Sequence, residues 1–139
     1  MKVQIKKSLG EKDVVEIHDS ILATSIGLPG RSESRPLSAA LHRIDDHIYY
    51  EDVTDIYVVA ALYAIAIARG HTFNDGNKRT AMVSMVTFLI LNGISVTASN
   101  TAIEDMMVDV AEKKVEKDEL AAWLKKYSMI NVDEPRICS

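Results

Sequence analysis

The first half of the chain carries hydrophobic residues at helical spacing. Ser8 and Glu11 have the spacing of a capping box, which predicts a helix start there. The apolar positions expected to face the core are Val14, Ile17, Ile21 and Leu22, then Leu37, Ala40, Leu41, Ile44 and Ile48. Residues 27–36, with two prolines and two glycines, predict an irregular loop between these two helices. Val3 and Ile5 alternate with polar residues and predict at most a short N-terminal strand.

Two nearly continuous apolar stretches occupy the middle of the chain. We expect the first to form a helix capped by Thr54 that runs to Arg69 and stops at Gly70. It is apolar on almost every face, which predicts a central position in a helical bundle. The second predicts a helix from about Asn77 to Leu91, ending at 92–93.

The rest of the chain predicts a short extended segment and two further helices. The extended residues are Ile94, Val96 and Thr97, and Asn100 is the expected cap of the helix that follows. The two helices carry Ile103, Met106, Met107 and Val110, then Leu120, Trp123, Leu124 and Tyr127, and the charged run 112–119 between them reads as a solvated face or turn. We predict an all-α, single-domain bundle of about six helices over 1–139, with a core at about 8–127 and a loose tail at 128–139.

The composition agrees with a helical bundle and excludes several classes of function and location. The 139 residues are 47% hydrophobic and 26% charged, an ordinary globular balance. A net charge of −4 argues against direct nucleic-acid binding. With Cys138 as the single cysteine, no internal disulfide can form, and with no secretory signal visible we expect a cytoplasmic protein. The apolar stretches fall short of the ~20 residues that span a bilayer, so we expect no membrane partner.

The segment 71–80, His-Thr-Phe-Asn-Asp-Gly-Asn-Lys-Arg-Thr, joins the two apolar helices and concentrates polar chemistry there. The N–H groups at the start of the second helix, near Gly76 and Asn77, point out of the helix beside the positive end of its dipole. Such a helix start binds anions. Lys78 and Arg79 add positive charge, and Gly76 lets a ligand approach the backbone. The segment therefore predicts a phosphate-binding site.

Two further residues of this segment predict a transfer reaction. Asp75 would repel a bare phosphate, but it is a suitable ligand for Mg²⁺ bound between it and phosphate oxygens. His71 is a candidate general base, and Phe73 is expected to anchor the turn in the core. These groups suit transfer of a phosphoryl or nucleotidyl group from a nucleotide to a hydroxyl. The other histidines, His18, His42 and His47, read as caps or satisfied core groups.

The string His71-x-Phe73-x-Asp75-Gly76-Asn77-Lys78-Arg79 resembles the signature of the Fic family. Lysine at position 78, where most members have glycine, is similar to the death-on-curing (Doc) toxin branch. The resemblance extends to 27–30, 50–55 and 68–71, and covers the chain from about residue 10 to about 127.

The resemblance implies a toxin of a type II toxin–antitoxin pair, acting as a protein kinase on a threonine of elongation factor Tu and blocking translation. It implies ATP and Mg²⁺ as the cofactors and a Phd-like antitoxin as a partner, whose disordered segment becomes helical on binding. His71 would activate the target hydroxyl, Asp75 would hold Mg²⁺, and Asn77, Lys78 and Arg79 would bind phosphates. Arg69 matches another functional arginine of the branch, assigned here to nucleotide binding together with Gly76.

Three functions remain open from the sequence. Glycine at position 76 is typical of ordinary Fic enzymes, whereas the best-known Doc pattern has alanine, so AMP transfer competes with kinase activity. A non-catalytic module that regulates together with its antitoxin is the third, and the presence of both His71 and Asp75 argues against it. No glutamate is followed by glycine or asparagine, so the inhibitory motif of many Fic proteins is absent, which favours restraint by a separate chain.

Overall fold

A computed structural model describes residues 7–23, 37–50, 55–70 and 76–131. Within these ranges it contains six helices and one two-stranded antiparallel sheet. The elements are α1 Glu11–Ala23, α2 Leu37–Tyr50, α3 Ile56–Gly70, α4 Asn77–Leu91, β1 Ile94–Val96, α5 Asn100–Ala111, α6 Lys117–Lys126 and β2 Ser128–Ile130. The prediction of a mostly helical bundle is confirmed. The predicted strand near Val3 and Ile5 and the loop at 27–36 lie outside the described residues.

Helix α3 lies at the centre of the bundle, as its composition predicts. It packs against α2, α4, α5 and α6. Ten of its fifteen residues are buried, and they occur on all faces of the helix. Helix α4 packs against α1, α3, α5 and β1 and buries Met85, Phe88 and Leu89 completely. The connection between α3 and α4 therefore joins the two helices with the most extensive packing in the described fold.

Helix α2 buries one stripe at the predicted positions. Its buried residues include Leu37, Leu41 and Ile44, with Ile48 packed against the edge of the core. On α1 only Val14 of the predicted core positions is buried. Ile17, Ile21 and Leu22 are half-buried, because Ile17 and Ile21 line an open groove beside α4. Met107 is buried on α5, and Met82 and Met106 are partly buried against the core, consistent with flexible side chains filling gaps.

Helix α4 begins at Asn77 as predicted, but the caps of α1, α3 and α5 differ from those predicted. At α1 the amide of Gly10 donates to Asp13 Oδ2 at 2.9 Å, so Ser8 and Glu11 are not the capping pair. At α3 the side chain of Asp55, rather than Thr54, accepts from the amide of Tyr57 at 2.9 Å. At α5 the cap is Ser99, one residue before Asn100. At α3 and α5 an adjacent polar residue provides equivalent capping chemistry, and at α1 the capping contact lies two residues further along, so composition alone does not fix the boundary.

The small sheet was predicted only in part. Strand β1 matches the expected extended segment, but its partner β2 lies in the stretch 128–130 expected to be tail. Ile94 pairs with Ile130, and Val96 pairs with Ser128. The Thr97 amide and hydroxyl both donate to the Tyr127 carbonyl, at 2.7 and 2.8 Å. Three residues are too few to show a strand pattern, and the pairing depends on contacts about thirty residues apart.

The segment at 7–10 is attached to the core through two polar side chains. The buried Tyr63 hydroxyl accepts from the Leu9 amide at 3.0 Å and donates to the Leu9 carbonyl at 3.2 Å. Asn92 accepts from the Lys7 amide at 3.0 Å and donates to the Lys7 carbonyl at 2.9 Å. These bonds connect the start of the described chain to α3 and to the end of α4.

Candidate active site at the start of helix α4

The structure describes both flanks of the predicted catalytic segment. Residues 71–75 lie outside the described ranges, so the roles of His71, Asp75 and Phe73 remain predictions. On one side the chain enters the segment from Gly70, the last residue of α3. On the other side it leaves through Gly76, which caps α4. His71 and Asp75 are therefore bonded directly to the ends of the two helices at the centre of the bundle.

Gly76 has a backbone conformation that explains the glycine at this position. Its φ of 81° and ψ of 15° lie in the left-handed region, where other residues are disfavoured. The first ladder bond of α4 runs from the Thr80 amide to the Gly76 carbonyl at 2.9 Å. The amides of 77–79 therefore precede the helical ladder and lie at the positive end of the dipole. Glycine at position 76 is thus favoured by the backbone conformation as well as suited to the approach of a ligand.

The buried side of this helix start faces α1. A side chain added at Gly76 would place its Cβ 3.6 Å from His18 Cδ2 and 3.8 Å from Leu22 Cδ2. His18 is 1% exposed, and its Nδ1 lies 3.3 Å from Asp19 Oδ1. The structure thus places His18 in the core, one of its two expected positions, and directly behind the predicted phosphate-binding turn. No sequence signal indicated this proximity, because it depends on the packing of α1 against α4.

The opposite side carries the positive charges. Lys78 and Arg79 are exposed, and Asn77 is half-buried. Lys78 and Arg79 line a cleft of about 130 Å³ between α4 and α5. Met82, Met107 and Val108 provide its apolar walls, and Glu104 adds one carboxylate. The first turn of α4 therefore brings together four of the predicted residues, Gly76, Asn77, Lys78 and Arg79.

Arg69 lies in the last turn of α3, but its side chain extends to the connection between α5 and α6. Nε donates to the Val110 carbonyl at 2.8 Å, and one terminal nitrogen donates to the Val115 carbonyl at 2.8 Å. The other terminal nitrogen bonds Glu116 Oε1 at 3.0 Å. Only 18% of the side chain is exposed. All three guanidinium nitrogens thus contact residues 110–116.

The α5–α6 connection is a structured turn, which is one of the two interpretations of its charge run. The Lys113 amide donates to the Val110 carbonyl at 3.1 Å, and the Lys114 amide donates to the Asp109 carbonyl at 2.9 Å. Together with the positive φ of 64° at Lys113, these bonds form a Schellman motif. The residue with positive φ in such a helix end is usually glycine. Because it is Lys113 here, the sequence did not indicate this motif.

Glu116 shows the electrostatic effect of Arg69. The hydrogen bond from the guanidinium is the largest cause that lowers the pKa of this carboxyl below its ordinary value. The charges of Arg69, Lys113 and Lys117 act in the same direction. Because Glu116 is exposed, solvent screens this interaction, and the contact matters more for the geometry of Arg69 than for stability.

The metal prediction depends on Asp75, outside the described ranges. Among residues 7–23, 37–50, 55–70 and 76–131, no group of three His, Cys, Asp or Glu side chains could hold a metal ion. One carboxylate with phosphate oxygens is a normal Mg²⁺ environment. Asp75 precedes a helix start suited to phosphate, so the residues present fit a nucleotide-bound Mg²⁺. No helix within the described part of the chain has both the length and the apolarity to cross a membrane.

Comparison with known proteins identifies the family of the chain. The chain is 34% identical over 120 residues to "Protein kinase doc" of Escherichia phage P1, covering 86% of this chain and 94% of that protein. It is 32% identical over 122 residues to "Toxin Doc" of Mycolicibacterium smegmatis, covering 84% of this chain and 94% of that one. The model of the Fic/DOC family matches residues 8–89, from the segment before α1 to near the end of α4. The chain belongs to the Fic/DOC family.

Proposed function

We propose that this protein is a toxin of the Doc type that transfers the γ-phosphoryl group of ATP to a hydroxyl of a protein, with elongation factor Tu as the target. The start of α4 carries the proposal. A left-handed glycine cap, the dipole of a buried helix and two exposed cations coincide in one turn. The match to a relative named as a protein kinase supports phosphoryl transfer.

The proposed reaction assigns one role to each predicted residue. The acceptor hydroxyl oxygen attacks the γ-phosphorus while His71 takes the hydroxyl proton, and ADP leaves. The α4 amides with Asn77, Lys78 and Arg79 stabilise the phosphate charge as the bond to the leaving oxygen breaks. Asp75 would hold Mg²⁺, which neutralises phosphate charge when bound. The contribution of the protein is mostly positioning and charge stabilisation.

AMP transfer is the alternative, and Gly76 is the observation that favours it. In that reaction the same hydroxyl attacks the α-phosphorus, and pyrophosphate leaves. Lys78 instead favours kinase activity. Its side chain adds bulk and charge beside the phosphate-binding turn and changes how the triphosphate is seated. We therefore place kinase activity first.

Labelled ATP distinguishes these reactions. Purified protein is incubated with elongation factor Tu, Mg²⁺ and ATP labelled at the α or the γ phosphorus. We expect label on elongation factor Tu from γ-labelled ATP only. Label transferred only from the α position would replace the kinase assignment by AMP transfer. A parallel incubation with whole cell extract tests the target, since a labelled band other than elongation factor Tu would reassign the substrate.

We further propose that an antitoxin of the Phd type binds the toxin in the cytoplasm and inhibits it within that complex. We expect the border of its binding surface at 27–36 and the adjacent helices, and 27–36 lies outside the described residues. Helix α1 borders a groove of about 480 Å³ shared with α4. Ile17, Ile21 and Val83 line the groove, and Asp13 and Glu16 lie along the α1 side. An apolar floor with acidic neighbours suits an amphipathic helix with basic residues.

Co-expression tests this surface. A charge in the groove, Ile21→Asp, should leave growth arrest intact and abolish its relief by the antitoxin. Ile130→Asp, an equally drastic change at an exposed site on β2, is the control and should remain neutralised. Full neutralisation of a stable, toxic Ile21→Asp variant would place the antitoxin elsewhere.

A further inference from the structure

The Arg69 side chain links the last turn of α3, which precedes the predicted active-site segment, to a distant part of the chain. Its three acceptors lie 41 to 47 residues away in sequence, across the α5–α6 turn. Two of the acceptors are backbone carbonyls, and the third is a carboxylate. The planar fork of a guanidinium can satisfy several fixed acceptors at once, whereas a lysine ammonium is a single point donor. The contact is therefore specific for arginine.

The position of Arg69 in the chain gives this contact a consequence. Gly70 is the last residue of α3, and His71 follows it directly. A glycine at a helix end is conformationally permissive, so the direction in which the chain leaves α3 needs support from elsewhere. Arg69 supplies that support one residue earlier, because it fastens the last turn of α3 to the α5–α6 turn.

The α5–α6 turn is a rigid anchor for such a contact. Its Schellman bonds fix the Val110 carbonyl, which accepts from both the Lys113 amide and Arg69 Nε. On the other side, the Glu116 amide is 3.3 Å from Glu119 Oε1 at the start of α6. Helix α6 packs directly on α3 and buries Leu120 and Leu124 completely. The acceptors of Arg69 are thus held in place independently of the active-site segment.

We propose that Arg69 is a positioning residue that sets the exit of the chain from α3, and hence the placement of His71, by fastening α3 to the α5–α6 turn, rather than a ligand of the nucleotide. This assigns Arg69 a different role from the one the family resemblance suggested. The catalytic consequence of this proposal rests on the proposed function. The contact of Arg69 with the α5–α6 turn is independent of that function.

Kinetics of Arg69→Lys separate the two roles. A positioning role predicts that kcat for phosphoryl transfer to elongation factor Tu falls about 10- to 100-fold, since a small misplacement of a catalytic group has effects of that size. The KM for Mg-ATP should stay within about threefold. Arg43→Lys is the matched control, because Arg43 lines the same α2–α3 cavity as Arg69 and is exposed, and it should leave both constants unchanged. A KM raised tenfold or more with kcat unchanged would make Arg69 a nucleotide ligand and overturn the proposal.

Amide hydrogen exchange tests the contact without any reaction. In the nucleotide-free protein, Arg69→Lys should speed exchange both in the last turn of α3 and at 113–117, and leave β1 and β2 unchanged. If Arg69→Lys does not fold, Glu116→Ala serves instead and should speed exchange at the same two places by about twofold. Unchanged exchange at the end of α3 overturns the proposal in either variant. Failure of wild-type protein to transfer phosphate would refute the proposed function while leaving this result decisive for Arg69.

Discussion

The two ends of helix α4 share one backbone conformation but differ in their surroundings. Each is bounded by a glycine with positive φ, 81° at Gly76 and 84° at Gly93. At the C-terminal end the polar groups are tied within the protein, as the Asn92 and Gly93 amides donate to the Leu89 and Ile90 carbonyls at 3.0 Å. The N-terminal end instead presents Lys78 and Arg79 to solvent. One end closes a helix, and the other carries the charges that we propose bind phosphate.

This contrast indicates how to separate stability from chemistry in this fold. Groups at the C-terminal end, such as the Asn92 side chain with its bonds to Lys7 and Phe88, contribute to folding. At the N-terminal end we expect the exposed side chains of Lys78 and Arg79 to contribute less to folding, and their charge is suited to phosphate. Substitutions at the two ends should therefore change different observables.

The largest effect is expected at the catalytic segment itself. His71→Ala should lower the rate of phosphoryl transfer by about 10²–10⁴, the usual cost of removing a general base, and should abolish growth arrest. The melting temperature should stay near that of the wild type. His42→Ala is the control, because His42 is an exposed residue of α2 paired with Asp46 at 3.7 Å. A fully toxic His71→Ala protein would exclude base catalysis by this residue.

A smaller effect is expected for the predicted metal ligand. Asp75→Asn should weaken nucleotide binding roughly tenfold in the presence of Mg²⁺ and change it little in EDTA, since the carboxylate acts through the ion. Asp105→Asn, on the exposed face of α5, should behave as wild type. Identical Mg²⁺ titrations of Asp75→Asn and wild type would remove Asp75 from the metal site.

At the other end of α4, Asn92→Ala should affect stability alone. It removes the acceptor of the Lys7 amide and the donor to the Phe88 carbonyl, and unpaired buried polar groups cost about 1–3 kcal/mol. Urea denaturation measures the loss. The affinity for Mg-ATP should not change once the protein is folded, and a large loss of affinity in a folded Asn92→Ala protein would contradict the separation of the two ends.

The smallest and most symmetrical test compares the two glycines. Alanine at either position adopts an unfavourable φ, which costs about 1 kcal/mol. The added methyl meets only ordinary contacts, 3.6 Å from His18 Cδ2 at position 76 and 3.9 Å from the Asn131 carbonyl at position 93. We expect similar losses in melting temperature, with a change in Mg-ATP affinity for Gly76→Ala only. Equal affinities in both variants would show that a methyl group at position 76 does not affect the bound nucleotide.

Much of this organisation could be predicted from residue patterns, for physical reasons. Helix α3 is apolar on all faces, and only a central helix can bury such a surface. The start of α4 was predictable because glycine, asparagine and two cations are adjacent in sequence. The cap residues were displaced by one to two positions, since Asp55 and Ser99 have the same capping chemistry as their predicted neighbours.

What the sequence did not reveal depends on contacts between distant residues. The acceptors of Arg69 are mainly backbone carbonyls, and carbonyls leave no trace in residue identity. The β1–β2 pairing and the packing of His18 behind Gly76 likewise arise from the arrangement of whole elements. In each case the residue types are visible in the sequence, but the residues that they contact are set by the tertiary structure.

Isothermal titration of the purified, antitoxin-free protein with ATP and Mg²⁺ tests the central claim most directly. We predict saturable binding at one site per chain that weakens in the Arg79→Ala variant and is unaffected by Arg43→Ala. Circular dichroism first shows that the protein is helical and folded. If such protein then gives no measurable heat of binding with ATP and Mg²⁺, nucleotide binding at the start of α4 is contradicted.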